Sequence, residues 1–195
     1  EKFISTRAKI YYAEQLIFAG CRNIEVTNLG NPYLMPQFSD AEQVLGHLRS
    51  DRFKARCKKR GVDPDEITIT AVTIREPAVD RAIELAKKGV GPDRCLMMVF
   101  TEEEHHFANS GTTLPAYWEE CESAIRKCRD AGLKMCGTVS TIWGSPIAGA
   151  TELKDAVEFT KRWLEIGATD ADDAGVEILP HELIIRASAA PPSER

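Results

Sequence analysis

The feature that most constrains the fold is a unit that recurs along the chain: an amphipathic helical segment, a glycine near its end, and a short β-branched run. The first copy starts at Ser5 or Thr6 and carries apolar residues at helical spacing up to Ile17. It then passes Gly20, and residues 24–27 change to strand chemistry. Such alternation is typical of α/β folds. The sequence therefore predicts a sheet whose strands are separated by helices.

Further copies of this unit follow. Residues 39–42, Ser-Asp-Ala-Glu, predict a helix that begins at a capping box. Residues 66–74 alternate apolar and polar side chains, as a half-buried strand does. The basic residues 52–60 predict the solvated surface of a helix. The remaining predicted elements are strands at 95–100 and 135–140 and helices at 77–88, 115–131 and 151–164, the last with Leu153, Ala156, Val157 and Trp163 on its inner side.

The lengths of the connections predict how the strands pair. A tight hairpin is unavailable, so the strands must pair in parallel through right-handed crossovers. In such sheets the carboxyl ends of the strands and the loops after them form the functional site. Polar residues follow the predicted strands at 25–28, 73–75, 101–106, 138–141 and 170–173.

Length, charge and composition exclude several classes of protein. The chain has 195 residues, shorter than the roughly 250 of a closed eight-unit α/β barrel. With 43% hydrophobic and 28% charged residues it matches a soluble globular protein. A net charge of −5 argues against a nucleic-acid surface held by bulk charge. We see no apolar run of membrane-spanning length and no secretory signal, so we expect a cytoplasmic or organelle-matrix location and no membrane partner.

The six cysteines are scattered, with no Cys-x-x-Cys pair and no histidine at ligand spacing. We therefore expect reduced thiols. Cys121 and Cys128 lie a heptad apart on the same stripe as Trp118 and Ile125, which favours packing in the core over metal binding.

Glu25 is the first candidate for chemistry. It is a carboxylate between Ile24 and Val26 at the expected mouth of the sheet. It could serve as a general base or as a partner of a metal ligand, or it could simply face water. The loop at residues 28–37 is long and rich in turn residues, which favours contact with a ligand.

The other candidates are histidines and aspartates. His105 and His106 follow three glutamates, and in an extended segment their side chains would diverge, so one could point into a site while the alternative is a solvated pair. The acidic cluster of Asp170, Asp172 and Asp173 could hold Mg²⁺ or Mn²⁺, or it could be a solvated turn.

Two motifs resemble a known family. Residues 25–37, Glu-Val-Thr-Asn-Leu-Gly-Asn-Pro-Tyr-Leu-Met-Pro-Gln, resemble the IE(V/T)T…P…(V/M)PQ segment of the 3-hydroxy-3-methylglutaryl-CoA lyase family. Residues 137–146, Gly-Thr-Val-Ser-Thr-Ile-Trp-Gly-Ser-Pro, resemble its G-Y-V-S-x-x-x-G-C-P strand end. The wider group, the pyruvate-carboxyltransferase or DRE-TIM metallolyase family, includes isopropylmalate, citramalate and homocitrate synthases. Those synthases typically carry F-S-x-E-D at this strand, so the lyase branch is favoured.

The resemblance implies a fold and a reaction. The fold would be a TIM-type (β/α)₈ barrel, of which about the first half to two-thirds of the units lie in this chain. The reaction would be a metal-dependent retro-Claisen cleavage of an acyl-CoA, with Mg²⁺ or Mn²⁺ as the cofactor. By position, Glu25 matches the catalytic glutamate, and His105 and Asp172 are further catalytic candidates. The substrate-binding candidates are Asn28, Pro36, Gln37, Asn109, Thr138 and Ser140.

The chain also departs from the family pattern. The family's Gly-Pro-Arg-Asp-Gly strand, its His-x-His metal pair and its Gly-Gly-Cys-Pro loop do not occur in this sequence, so no primary metal ligand is visible. We expect a partial barrel at residues 1–175 and a helix-like segment with a flexible tail at 176–195. Our hypothesis is that these residues belong to a larger lyase-like polypeptide, and an intact mass that agrees with 21.6 kDa would contradict it.

Alternatives to the lyase remain open. One is a Claisen-type synthase that condenses acetyl-CoA with a 2-oxo acid. Another is a non-catalytic remnant of a barrel. Thr138 and Ser145 stand where the lyases often have Tyr and Cys, which suggests a substrate other than methylglutaryl-CoA. We expect an acyl-CoA substrate, no nucleic-acid partner and a homo-oligomer.

Overall fold

The structure is a computed structural model and describes residues 3–168. In this part of the chain, four parallel strands form one sheet in the order β1-β2-β3-β4, so each strand lies beside its neighbour in sequence. A helical connection separates each pair of consecutive strands, as the alternating sequence predicts. The strands are β1 (Asn23–Asn28), β2 (Thr68–Val72), β3 (Arg94–Phe100) and β4 (Lys134–Ser140).

The helices follow the predicted order with one addition. The added helix is α5, which occupies residues that the sequence predicted to be extended. Short 3₁₀ turns at Pro36–Phe38 and Pro64–Glu66 precede α2 and β2. Within the described residues, none of the helices combines the length and the apolarity needed to cross a membrane. The helices are α1 (Thr6–Phe18), α2 (Ala41–Arg49), α3 (Asp51–Lys59), α4 (Glu76–Lys87), α5 (Glu103–Ser110), α6 (Leu114–Asp130) and α7 (Leu153–Glu165).

The core lies between the sheet and the helices. Alternate residues of each strand enter it, as Cys95, Met97 and Val99 of β3 do. The intervening residues of β3 lie on the opposite face of the sheet because successive side chains alternate. There the Arg94 guanidinium donates to the Thr70 hydroxyl of β2 at 3.1 Å. One face of the sheet is therefore covered by helices, and the other carries polar side chains together with apolar ones such as Leu96.

Several local predictions are wrong. The capping box does not form, because α2 begins after Asp40, whose carboxylate binds Lys9 at 2.6 Å instead of a backbone N–H of its helix. Glu42, the other half of the predicted box, pairs with Arg81 at 2.8 Å. The strand predicted at 66–74 covers Thr68–Val72 and is buried on both faces rather than on one.

The prediction for the inner side of α7 is partly wrong, and the predicted solvated surface of α3 is confirmed. On α7, Ala156 and Trp163 are buried as expected, but Leu153 and Val157 are exposed. The basic helix α3 presents most of its charges to solvent and buries Phe53 and Cys57.

All six cysteines are free thiols, as expected, and four of them are buried. Burial raises the pKa of the Cys121 thiol, which keeps it protonated and favours its role as a small apolar side chain.

Candidate active site

The carboxyl ends of the four strands meet at one edge of the sheet. Asn28 lies beside Val72, and Phe100 lies beside Ser140, so the residues after each strand share that edge. The predicted placement of Asn28, Ser140 and the segment after Phe100 at a common edge is therefore correct. A cavity lined by Leu48, Arg49, Phe53, Ile69 and Asp93 lies near the amino ends of β2 and β3, away from this edge.

Glu25 lies deeper than the sequence suggested. It is the third of six residues in β1, opposite Thr70, and three residues before the strand ends. At about 3.3 Å per residue, that position is about 10 Å below the edge. Its side chain is exposed. The register shifts between Glu25 and Thr27, and such a bulge redirects the side chains that follow it.

Asn28 shapes the loop after β1. Its side-chain oxygen accepts a hydrogen bond from the Gly30 N–H at 2.7 Å, and its amide donates to the Met35 sulfur at 3.7 Å. A Cβ on Gly30 would lie 2.9 Å from that oxygen and closer still to Met35, which explains the glycine. Asn28 is itself buried. Its polar groups therefore hold the loop.

A lysine of the first helix fixes the Pro36–Gln37 segment. The Lys9 ammonium donates to the Gln37 carbonyl and to the Asp40 carboxylate. Burial would raise the pKa of Asp40, but hydrogen bonds from Lys9 and Thr6 outweigh it, so the pKa is lowered. Pro36 is exposed and Gln37 is half-buried. The predicted substrate loop is thus tied to α1 by a buried ion pair.

His105 and His106 lie on α5, so the prediction of an extended segment and the alternative of a solvated pair are both wrong. Consecutive helical positions point about 100° apart, which sends the two rings in different directions. His105 stacks on Phe100, with ring centroids 4.7 Å apart. His106 is fully buried against Tyr117, with ring centroids 4.6 Å apart.

Ser145 holds its own loop and lies beside His105. The Ser145 hydroxyl oxygen accepts from the Ile147 and Ala148 N–H groups at 3.1 and 3.2 Å. The same hydroxyl is hydrogen-bonded to Nδ1 of His105 at 2.8 Å. Because Ser145 is buried and already accepts two hydrogen bonds, it braces its loop and is a poor nucleophile.

His106 belongs to the core. Neither of its ring nitrogens has a hydrogen-bond partner within the described residues. Burial lowers the pKa of His106, and the nearby Arg75 lowers it further against the opposing effect of Glu103. The ring is therefore neutral at physiological pH and is not available to a substrate at the edge.

The remaining predicted substrate residues lie at or near the edge. The exposed Asn109 donates to the His105 carbonyl at 3.0 Å, a local contact within α5. The Thr138 carbonyl accepts from the indole of Trp163 at 3.2 Å. The Ser140 carbonyl accepts from the Thr101 N–H at 3.4 Å.

A cluster around Glu102 was missed by the sequence analysis. Its carboxylate accepts hydrogen bonds from the hydroxyls of Thr101, Thr141 and Thr151. Burial would raise the pKa of Glu102, but these three donors lower it overall. Thr141 and Thr151 lie 39 and 49 residues from Glu102 along the chain. No local sequence pattern could therefore have revealed the cluster.

The metal prediction does not fit the described residues. Asp172, the third catalytic candidate, and its neighbours Asp170 and Asp173 lie outside them. Within residues 3–168, the structure places no three or more His, Cys, Asp or Glu side chains where they could hold a metal ion together.

Comparisons with known proteins agree with the resemblance seen in the sequence. No model of a protein family matches. The curated hydroxymethylglutaryl-CoA lyase of Pseudomonas mevalonii is 22% identical over 166 residues, which cover 84% of this chain and 48% of that protein. The chain therefore spans about half the length of the curated relative that it matches.

Solved structures show the same partial match. The hydroxymethylglutaryl-CoA lyase of Pseudomonas aeruginosa superimposes with a TM-score of 0.71 at 17% identity, covering 86% of this chain and 50% of that one. An HMG-CoA lyase from Acinetobacter baumannii, in complex with coenzyme A and 3-methylmalate, gives 0.69 at 18% identity, covering 85% and 48%. The chain shares the α/β fold of these TIM-barrel lyases over about half the length of each. This confirms the predicted partial barrel.

Proposed function

We propose that this chain carries part of the active site of a carbon–carbon lyase that cleaves a 3-hydroxy-3-methylglutaryl-CoA-like thioester by a retro-Claisen step. The observation that carries the proposal is the arrangement of Asn28, Ser140 and His105 at one edge of the sheet, above Glu25, on a fold shared with such lyases. The coenzyme A found in one relative supports an acyl-CoA as the substrate.

Each candidate residue has a role in this proposal. The Glu25 carboxylate removes the proton of the tertiary hydroxyl, and the carbon–carbon bond breaks to give a 3-oxo acid and the enolate of acetyl-CoA, which is then protonated. With Nδ1 bound to the Ser145 hydroxyl, the Nε2 side of the His105 ring is assigned as the hydrogen-bond donor to the oxygen where enolate charge develops. Ser140 and Thr138 line the pocket from β4, and Pro36 and Gln37 do so from the loop after β1.

The metal remains an expectation that comes from the resemblance alone. Since residues 3–168 do not assemble a group of ligands, we derive no step through Mg²⁺ or Mn²⁺. The catalytic role that we propose for Asp172 likewise comes from the resemblance alone. A cytoplasmic or organelle-matrix location is part of the proposal, and the six free thiols support it. A homo-oligomer is also part of the proposal.

The proposal is tested by incubating the purified chain with 3-hydroxy-3-methylglutaryl-CoA, with and without Mg²⁺ or Mn²⁺, and measuring acetyl-CoA and the 3-oxo acid together. We expect Glu25→Gln to lower turnover about 100-fold or more, because the amide cannot accept the hydroxyl proton. The matched control is Glu158→Gln on the exposed surface of α7, which we expect to leave turnover unchanged.

Three other outcomes would contradict the proposal. Turnover that is unchanged in Glu25→Gln would remove that residue from the chemistry. Release of free coenzyme A from acetyl-CoA and a 2-oxo acid would identify a Claisen-type synthase. Absence of both products under every metal condition would reject the lyase activity of this chain.

A further inference from the structure

The segment after β4 is a loop whose two ends lie together. Residues 141–151, which we call the β4–α7 loop, leave the sheet directly after Ser140. The Thr151 hydroxyl oxygen lies 2.7 Å from the Thr141 carbonyl oxygen, so the last residue of the loop lies against the first. Compact loops with closed ends are frequently functional.

Glu102 holds both ends of this loop from the short segment between β3 and α5. Its carboxylate accepts from the Thr141 hydroxyl at 2.9 Å and from the Thr151 hydroxyl. The Thr101 hydroxyl, 2.7 Å from the same carboxylate, lies 2.9 Å from the hydroxyl oxygen of Thr141 and 3.2 Å from that of Thr151. One carboxylate therefore joins the residues that follow β3 to both ends of the β4–α7 loop. A carboxylate can accept about four hydrogen bonds, which suits a site with three hydroxyl donors.

The backbone at the start of the loop is strained. Thr141 has φ of 61°, the one non-glycine residue in the described chain with positive φ. A β-branched residue in this region is an outlier, because its Cβ crowds the following carbonyl oxygen. Such strain persists only where surrounding contacts hold it, and it is frequent at functional sites. The Glu102 contact is one of those that hold Thr141, and Thr141 directly follows the proposed pocket residue Ser140.

The tip of the loop is held from the same side. Ser145 and Gly149 exchange two backbone hydrogen bonds at 2.6 and 2.8 Å, which folds the tip back on itself. The Ser145 hydroxyl then meets His105 at the start of α5. Residues 101–105 thus contact the two ends of the loop through Glu102 and its tip through His105. Between these contacts the loop presents Trp143 and Ile147, which are 74% and 52% exposed.

We propose that Glu102 is a positioning residue. Its hydrogen bonds to both ends of the β4–α7 loop, which we call the clasp, fix the surface that this loop offers to the acyl-CoA substrate. The proposal rests on the proposed function for the identity of the substrate. The clasp itself depends only on the contacts above. Glu102 does not touch the reacting atoms in this account; it acts through Ser140, Ser145 and the exposed side chains of the loop.

The clasp is tested without substrate, by hydrogen–deuterium exchange of the 195-residue chain followed by mass spectrometry. In Glu102→Gln we expect amides of residues 142–150 to exchange about tenfold faster or more, because the amide side chain accepts through one oxygen only. Glu104→Gln is the matched control, since Glu104 is an exposed glutamate two residues away on α5. Equal exchange of the loop in wild type and both variants would overturn the proposal.

A second pair of variants separates the clasp from a general loss of folding. Thr151→Val removes one hydroxyl donor at nearly constant volume, and Thr151→Ser restores the hydroxyl. We expect fast loop exchange in Thr151→Val, wild-type exchange in Thr151→Ser, and unchanged exchange in β1 and β2 in both. Fast exchange in both variants would show that the methyl group, not the hydroxyl, holds the loop, and would contradict the role of Glu102.

Substrate kinetics then test the positioning role. For 3-hydroxy-3-methylglutaryl-CoA we expect Glu102→Gln to raise KM about tenfold while kcat stays within about threefold, because a displaced loop weakens binding more than chemistry. A loss of kcat at constant KM would contradict the positioning role. If the wild-type chain cleaves no thioester, the proposed function fails, and the exchange experiment still decides whether the clasp exists.

Discussion

Buried polar side chains fasten the elements beneath the candidate site. The Tyr117 hydroxyl on α6 donates to the Ile74 carbonyl, just after β2, at 2.6 Å. Three residues further along α6, the Glu120 carboxylate accepts from the N–H of Glu76 at 2.6 Å and binds the Arg75 guanidinium at 2.9 Å. Glu120 therefore caps α4 from another helix, in place of a side chain at the N-terminus of α4 itself. Single residues of α6 thus set where the chain turns after β2.

We expect Tyr117→Phe to lower the free energy of unfolding by about 0.5–1.5 kcal/mol, because it removes the hydrogen bond to the part-buried Ile74 carbonyl at nearly constant volume. The matched control is Tyr33→Phe, since Tyr33 is 93% exposed and its hydroxyl can bind water in both states. Urea unfolding of the three proteins measures the difference. Equal stability of Tyr117→Phe and wild type would show that water replaces the lost donor.

Elements with a clear periodic pattern could be predicted from the sequence, and those without one could not. All four strands and six of the helices of the described chain were predicted or lie where a helical surface was expected, because their apolar residues recur at strand or helix spacing. Helix α5 was missed because its polar run, Glu103 to His106, hides the helical period. A usable signal did exist: Gly111 ends the helix with φ of 70°, as glycine commonly does.

Packing between elements was also outside the reach of the sequence. In the sequence, Gly137 of β4 is only one position of a motif. The structure shows why glycine is needed there. A Cβ there would lie 2.2 Å from the indole of Trp163 on α7. That indole is itself buried and packs edge-on against Trp118, with ring centroids 4.9 Å apart. The glycine lets α7 approach the sheet. No sequence pattern within β4 predicts that contact.

We expect Gly137→Ala to lower the free energy of unfolding by about 1–3 kcal/mol or more, because Trp163 cannot withdraw from the added methyl without disturbing Trp118. Gly46→Ala on α2 is the control, since a Cβ there meets nothing within 4 Å. We expect that variant to gain about 0.5–1 kcal/mol from the higher helix propensity of alanine. Calorimetric melting of both variants gives the two signs, and stabilisation by Gly137→Ala would contradict this account of the packing.

At the scale of the whole molecule, topology could be predicted and long-range contacts could not. The parallel order of the strands follows from the lengths of the connections, and that order alone brings Asn28 and Ser140 to one edge. The depth of Glu25 depends on where β1 ends, the side chains after it depend on a bulge, and the Glu102 cluster depends on residues 39 and 49 positions from Glu102. All three are decided by tertiary packing, which a single sequence does not display.

Acid affects the whole fold through groups whose pKa differs between the folded and unfolded chains. The pKa values of Asp40, Glu76 and Glu102 are lowered in the folded state. For Glu76 the main cause is a hydrogen bond from Ser123. The unfolded chain binds protons at these carboxylates first, so their stabilisation is present above about pH 4.3 and is lost as the pH falls further. His106 acts in the same direction at higher pH, because its folded pKa is also lowered and its unfolded value is about 6.5.

We expect the free energy of unfolding to fall in two stages as the pH decreases, first below about 6.5 through His106 and then below about 4.3 through the carboxylates. In His106→Leu the first stage should disappear, because leucine takes up no proton when the chain unfolds, while the second stage should persist. Urea unfolding at pH 7.5, 5.5 and 4.0 separates the two. An equal loss between pH 7.5 and 5.5 in wild type and variant would mean that a group other than His106 governs the first stage. Loss of the first stage alone would instead show that this buried, unpaired ring is what makes the fold sensitive to mild acid.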